Sequence, residues 1–184
     1  MRADPAGAER LARRCAELAR DGVEFVLIRE KQLAAGELAA VARRVLTAVA
    51  GTGMRVLVAR RVDVALAVGA DGVHLAGSVG ELSVGQVREV MPGAFVSVSC
   101  HSIDEVLRAR EDEASGVLFG PVFGKTVGGV QVVAGVGVER LREACVAAGE
   151  MAVFALGGVS ERNAGECVAE GAVGVAGIRM FFDR

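Results

Sequence analysis

The sequence predicts an α/β fold, a (β/α) barrel built as a single domain over residues 1–184, and three observations carry that prediction. Seven short runs rich in β-branched residues recur along the chain: Val23–Ile28, Arg55–Val58, Gly72–Leu75, Phe95–Val98, Val117–Phe119, Ala152–Leu156 and Val173–Val175. Amphipathic stretches of helical length separate most of them, the pattern of repeated βαβ units on a parallel sheet. Gly-Ala steps precede two of the strands, at Gly69-Ala70 and Gly171-Ala172, where a helix would end and turn into the next strand. A doubly wound sheet shares the alternation, but the repeated steps fit a barrel better.

The first element is a helix over Asp4–Arg20, with Asp4 as N-cap and Pro5 at the first helical position. Further helix starts are marked by capping-box spacing at Ser83/Gln86 and Ser102/Glu105. An eight-stranded barrel has a strand before its first helix, and here that strand is missing. Three explanations stay open: an open seam, a neighbouring chain filling it, or a sequence that begins downstream of the natural start. An open seam exposes sheet edges, so a homo-oligomer is expected.

Composition narrows the partners. With 52% hydrophobic residues in 184, the chain can bury one substantial core. The formal net charge is −2 and no basic tract is interleaved with aromatics, which excludes an electrostatic footprint for nucleic acid. Apolar runs are broken by glycine or charge well short of the roughly 20 residues a membrane span requires. Arg and Glu interrupt Met1 to Asp21 where a signal peptide would be apolar, so the expected compartment is the cytoplasm. Cys15, Cys100, Cys145 and Cys167 are scattered without metal-ligand spacing and read as small core residues.

In barrels of this kind the working groups follow the C-terminal ends of strands. Arg29-Glu30-Lys31 puts two cations at such a place, suited to a phosphate or diphosphate. Leu156-Gly157-Gly158-Val159-Ser160 brings a strand into a glycine pair and an expected helix start, and Ala176-Gly177-Ile178-Arg179 repeats the theme one unit later. Ser97–Ser102 places hydroxyls and His101 at a strand end. The glycine-rich segment Phe119–Gly129, with Lys125, suits a lid closing over charge. Gly124-Lys125-Thr126 lacks the upstream glycine of a P-loop and is set aside.

At these residues the chain resembles the thiamine phosphate synthase/TenI family from Asp21 to Phe181. Val26–Lys31 resembles a strand end of the family, and Arg61–Ala67 with Gly69–Leu75 resembles a later helix and strand. Ser99–Ser102, Phe119–Phe123 and Leu156–Val159 match later blocks in the same order. The resemblance implies a TIM barrel. It also implies a transferase that couples hydroxymethylpyrimidine diphosphate with thiazole phosphate, giving thiamine phosphate and diphosphate. By the same resemblance Gly157, Gly158, Gly177 and Ile178 hold the thiazole phosphate, Arg29, Lys31 and Lys125 hold the diphosphate, Ser99 hydrogen-bonds the departing phosphate, and Mg²⁺ assists.

The sequence also departs from the family. Leu27 replaces a pyrimidine-contacting Gln, and Ala59-Arg60-Arg61 replaces a segment carrying a magnesium carboxylate. Glu81 is left as the candidate metal ligand, and Arg60 as a cation that could hold diphosphate in a metal's place. Pro121 stands where TenI-type thiazole tautomerases have a histidine, leaving His101 as the nearby imidazole. Three readings follow: a synthase, a tautomerase using His101, or a non-catalytic protein that binds a thiazole or thiamine phosphate.

Overall fold

The computed structural model describes residues 5–78, 80–127 and 130–182, so the expected N-cap Asp4 lies outside the described residues. The chain groups into two compact units. One comprises Met1–Leu75, Gly80–Leu82 and Gln86–Val96, the other Ala76–Val79, Ser83–Gly85 and Ser97–Arg184.

The first unit opens with α1 (Pro5–Arg20). Ala8, Ala12, Cys15 and Leu18 are buried at helical spacing, which gives the helix its inward stripe. Strands β1 (Phe25–Ile28), β2 (Arg55–Ala59) and β3 (Gly72–Leu75) follow, parallel and in that order, alternating with α2 (Ala35–Ala48) and α3 (Val62–Val68). Val56, Leu57 and Val58 are all buried, as in a parallel strand covered on both faces. Gly69 ends α3 in the left-handed conformation at φ 67°, the helix stop its Gly-Ala step predicts.

Two contacts pin this unit. The Val56 N–H donates to Asp71 Oδ2 at 2.7 Å while the Asp71 N–H donates to the Val56 carbonyl at 3.0 Å, fixing the register of β2 on β3. Gly72 lets the next strand approach closely, since a Cβ there would lie 2.0 Å from the Phe95 carbonyl oxygen. At the same end Arg55 stacks on Phe25 and Phe95, 4.1 and 4.9 Å from the ring centroids, and the rings lie 4.8 Å apart.

Helix α4 (Val84–Val90) begins directly after Ser83, and β4 (Phe95–Cys100) starts in the first unit and continues into the second. There β4, β5 (Gly116–Phe119), β8 (Ala152–Leu156) and β9 (Gly174–Ala176) run parallel in that order. Helices α5 (Ile103–Glu111), α6 (Val138–Ala148), α7 (Ala164–Ala169) and α8 (Arg179–Phe182) complete the unit. The capping box of α5 is formed: Ser102 Oγ accepts from the Glu105 N–H, and the Glu105 carboxylate accepts from the Ser102 N–H. Val117, Phe119, Leu141, Val153 and Ala155 are buried and form the centre of this unit.

All seven expected strands are present, within two residues of their expected starts and ends. Two features differ from the expectation. The glycine-rich segment contains an antiparallel pair, β6 (Lys125–Val127) and β7 (Val130–Val133), because its flanks carry Thr and Val runs of high strand propensity. Helix α7 begins at Ala164 and not at Ser160, because the Asn163 side chain accepts the Ser160 N–H at 2.7 Å and closes a turn there first. Cys15, Cys100 and Cys167 are buried, and burial pushes the thiols of Cys15 and Cys100 up to about 11 and about 12. Among the described residues no helix is long and apolar enough to cross a membrane.

Replacing Gly72 by Ala forces β3 away from Phe95. Urea denaturation should show a loss of about 3 kcal/mol, at the upper end of overpacking costs; an unchanged midpoint would contradict the close approach.

Candidate functional site

Chemistry in the first unit gathers at the C-terminal ends of β1, β2 and β3. Strand alternation places Leu27, Leu57 and Gly72 in one row on one face, with Ala59 opposite His74 in the next. Continuing β1 by one residue adds Arg29 to that second row. His74 is buried at 5% exposure. Burial above all pushes its imidazole down to about 4; the Arg29 charge depresses it further, and Glu81 opposes them. His74 is therefore neutral at physiological pH, in the field of the Arg29 and Glu81 charges.

Arg60 is held in an unusual way. Its φ is 64°, the left-handed region, and the Arg61 N–H closes a three-residue turn onto the Ala59 carbonyl at 2.8 Å. The Arg60 N–H itself donates to the His74 carbonyl at 2.8 Å. Such a conformation costs a non-glycine residue about 1 kcal/mol, here offset by the two backbone bonds and by an ion pair from Arg60 Nε to Glu81 Oε1. The Glu81 side chain is only 10% exposed. Arg61 lies in a two-pronged pair with Asp63, at 2.8 and 2.6 Å, and that hydrogen bonding holds the Asp63 carboxyl below its ordinary range.

Arg29, Lys31, Arg60, Arg61, Asp63 and Glu81 line a cavity of about 560 Å³. Its size suits a small phosphorylated ligand. Arg29 and Lys31, both named from the sequence, are exposed and make no ion pair among the described residues. The donor set suits magnesium poorly: a magnesium ion held largely by substrate phosphates still takes one or two carboxylates, and Glu81, the acid named for that role, has its Oε1 paired with Arg60.

The second unit carries the remaining sequence-named residues. Ser97 and Ser99 share one face of β4, Ser97 buried and Ser99 half-buried. His101 follows the strand, and its Nδ1 lies 2.6 Å from the Gly120 carbonyl. A carbonyl only accepts, so Nδ1 carries the proton in that bond and a neutral ring presents the Nε2 lone pair.

Gly157 and Gly158 lie at φ 95° and 68°, and a Cβ on either would come within 2.5 and 2.8 Å of Pro121 and Gly124. Val122 and Phe123 N–H groups donate to the Leu156 and Gly157 carbonyls, which ties the two loops together. Packing therefore accounts for this glycine pair. Gly177 differs, since a Cβ there would meet only the flexible Met180 side chain, at 3.4 Å. The fold does not need glycine at that point. The neighbouring Ile178 side chain is 74% exposed. Lys125 has its backbone in β6, while its side chain lies outside what is described.

The sequence reading passed over His74, and its signal was the strand alternation, which puts it two residues from Gly72 on the same face. It also named Glu81 without its pairing to Arg60, a contact across 21 residues that local spacing does not reveal.

Parallel βα units with cations and glycines after the strands define a phosphate-handling protein of the (β/α) barrel class. The family model described as thiamine monophosphate synthase matches residues 2–181, and the chain belongs to that family, the thiamine phosphate synthase/TenI group. It is 34% identical over 167 residues to the thiamine-phosphate synthase of Caldanaerobacter subterraneus subsp. tengcongensis, covering 89% of this chain and 75% of that protein. It is 36% identical over 158 residues to the thiamine-phosphate synthase of Methanoculleus marisnigri, covering 84% and 72%. The solved thiamine phosphate pyrophosphorylase from Pyrococcus furiosus superposes with a TM-score of 0.80 at 27% identity, covering 91% of this chain and 79% of that one. The fold class is thus the expected α/β barrel type.

The His74 shift links stability to pH. Its folded value of about 4 lies below the ordinary 6.5, so the unfolded chain binds the extra proton between them. Stability present above pH 6.5 falls as the pH drops towards 4, by roughly 3 kcal/mol for the full shift. Denaturant titrations at pH 7 and pH 4 should show this loss, and the His74→Gln variant should lack it.

Proposed function

We propose that this chain is a thiamine phosphate synthase-type transferase that joins hydroxymethylpyrimidine diphosphate to thiazole phosphate. The observation that carries the reading is the cavity of the first unit, lined by Arg29, Lys31 and Arg60, in a chain of this family. In the reaction the bond between the pyrimidine methylene carbon and the diphosphate oxygen breaks, and its electron pair leaves with the diphosphate. The lone pair of the thiazole nitrogen then forms the new carbon–nitrogen bond. Negative charge grows on the leaving group, so cations fixed around it stabilise the transition state more than the ground state.

Arg29 and Lys31 hold the diphosphate in this reading, with the Lys125 ammonium as a third cation. Ser99 donates to the departing phosphate. The thiazole phosphate is taken by backbone N–H groups of Gly157, Gly158, Gly177 and Ile178. The short α7 begins six residues after Gly158, which leaves the loop backbone as the anion-binding element. Leu27 and Leu57 share a face of β1 and β2 and offer the pyrimidine ring an apolar wall. The reaction belongs in the cytoplasm, where the four cysteines stay reduced.

A second reading, a tautomerase moving a proton on the thiazole phosphate alone, is favoured by one observation. The Nδ1 bond of His101 to the Gly120 carbonyl leaves Nε2 as the acceptor, the form a general base needs.

The deciding assay mixes the protein with both substrates and detects thiamine phosphate as its fluorescent oxidation product. Product is expected, and Lys31→Ala should reduce kcat/KM by roughly tenfold or more, as for loss of one charge-assisted contact. Conversion of thiazole phosphate alone, lost in His101→Ala, would favour the tautomerase. Gly177→Ala should weaken thiazole phosphate binding while leaving thermal stability within about 0.5 kcal/mol. Gly158→Ala, by contrast, should unfold at markedly lower temperature.

A further inference from the structure

The carboxylates of the first unit's cavity are all engaged by neighbouring groups. Glu81 Oε1 accepts from Arg60 Nε, both oxygens of Asp63 accept from Arg61, and Glu30 Oε2 accepts from Gln32 Nε2 at 2.7 Å. Four cations, Arg29, Lys31, Arg60 and Arg61, face these three acids around the same cavity. A divalent ion at Glu81 would have to displace the guanidinium, losing its ion pair, or sit beside it, positive charge against positive charge.

Arg60 is also preset as an anion receptor. Its backbone is fixed by the bonds to Ala59 and His74 described above, and its Nε is committed to Glu81. Among the described residues its two Nη groups make no hydrogen bond, and the side chain is 43% exposed. A guanidinium anchored through Nε keeps the paired Nη donors that bridge two phosphate oxygens.

We infer that this cavity holds diphosphate through guanidinium and ammonium groups alone, with Arg60 in the place of a divalent cation. The inference rests on the reading of the cavity as the diphosphate subsite, and it assigns Arg60 as a binding residue and Glu81 as the group that positions it. Charge compensation for the leaving diphosphate then comes from the chain and not from a metal.

The test is calorimetric titration of inorganic diphosphate into the full chain, once with EDTA and once with excess Mg²⁺. The expected result is binding in EDTA within about threefold of that in Mg²⁺. Arg60→Gln should lose roughly tenfold of the metal-free affinity or more. Glu81→Gln keeps an acceptor for the guanidinium while removing a negative charge near the anion, and should gain roughly fivefold. A metal ligand would give the opposite sign, so weaker Mg²⁺-supported binding in Glu81→Gln would overturn the inference. Binding by the wild-type chain in Mg²⁺ only would overturn it too, while leaving the diphosphate reading of the cavity intact. Absence of binding in both conditions would remove that reading along with the inference.

Discussion

Val56 and Asp71 exchange two hydrogen bonds at the start of β2 and β3, and nearly every feature of the first unit's cavity follows from the register they impose. With Val56 set against Asp71, Ala59 falls opposite His74 at the other end of the pair. That alignment brings the His74 carbonyl to the Arg60 N–H and leaves Arg60 to turn out of the strand. A slip of one residue would move His74 to the opposite face of β3 and break the turn. The clamp is built from one side-chain carboxylate and two backbone N–H groups, at the end of the strands away from the chemistry.

The cavity shows how charge can be arranged without being cancelled. Arg61 and Asp63 neutralise each other at the surface and start α3, so they add little field inside. Glu81, nearly buried, spends its charge on orienting Arg60. What remains for an incoming anion is Arg29, Lys31 and the outward edge of Arg60. His74 sits among these groups uncharged, because a protonated imidazole there would be desolvated and would also face Arg29.

Much of this was legible in the chain itself. The strands were visible because β-branched runs interrupted by glycine report burial on both faces, and the start of α5 because Ser102 and Glu105 need only local spacing to cap it. Arg29 and Lys31 follow from their place after β1. The surroundings of His74 were harder to see, since one polar residue in a buried strand resembles a satisfied core group until its neighbours across the sheet are known. The β6–β7 pair was hidden by the glycines around it, which read as a loop although the residues beside them favour strands. The start of α7 was misplaced because a glycine pair suggested an immediate helix, while Asn163 offered the backbone a competing turn.

The Arg60–Glu81 pair has a consequence for descent. Glu81 without Arg60 would lose its ion pair while nine-tenths of its side chain stays buried, and Arg60 without Glu81 would lose the contact that offsets its strained backbone. Exchanging either residue for one that cannot hydrogen-bond removes the contact they share. The two positions should therefore be inherited together, so that a lineage carrying arginine at the first carries an acid at the second.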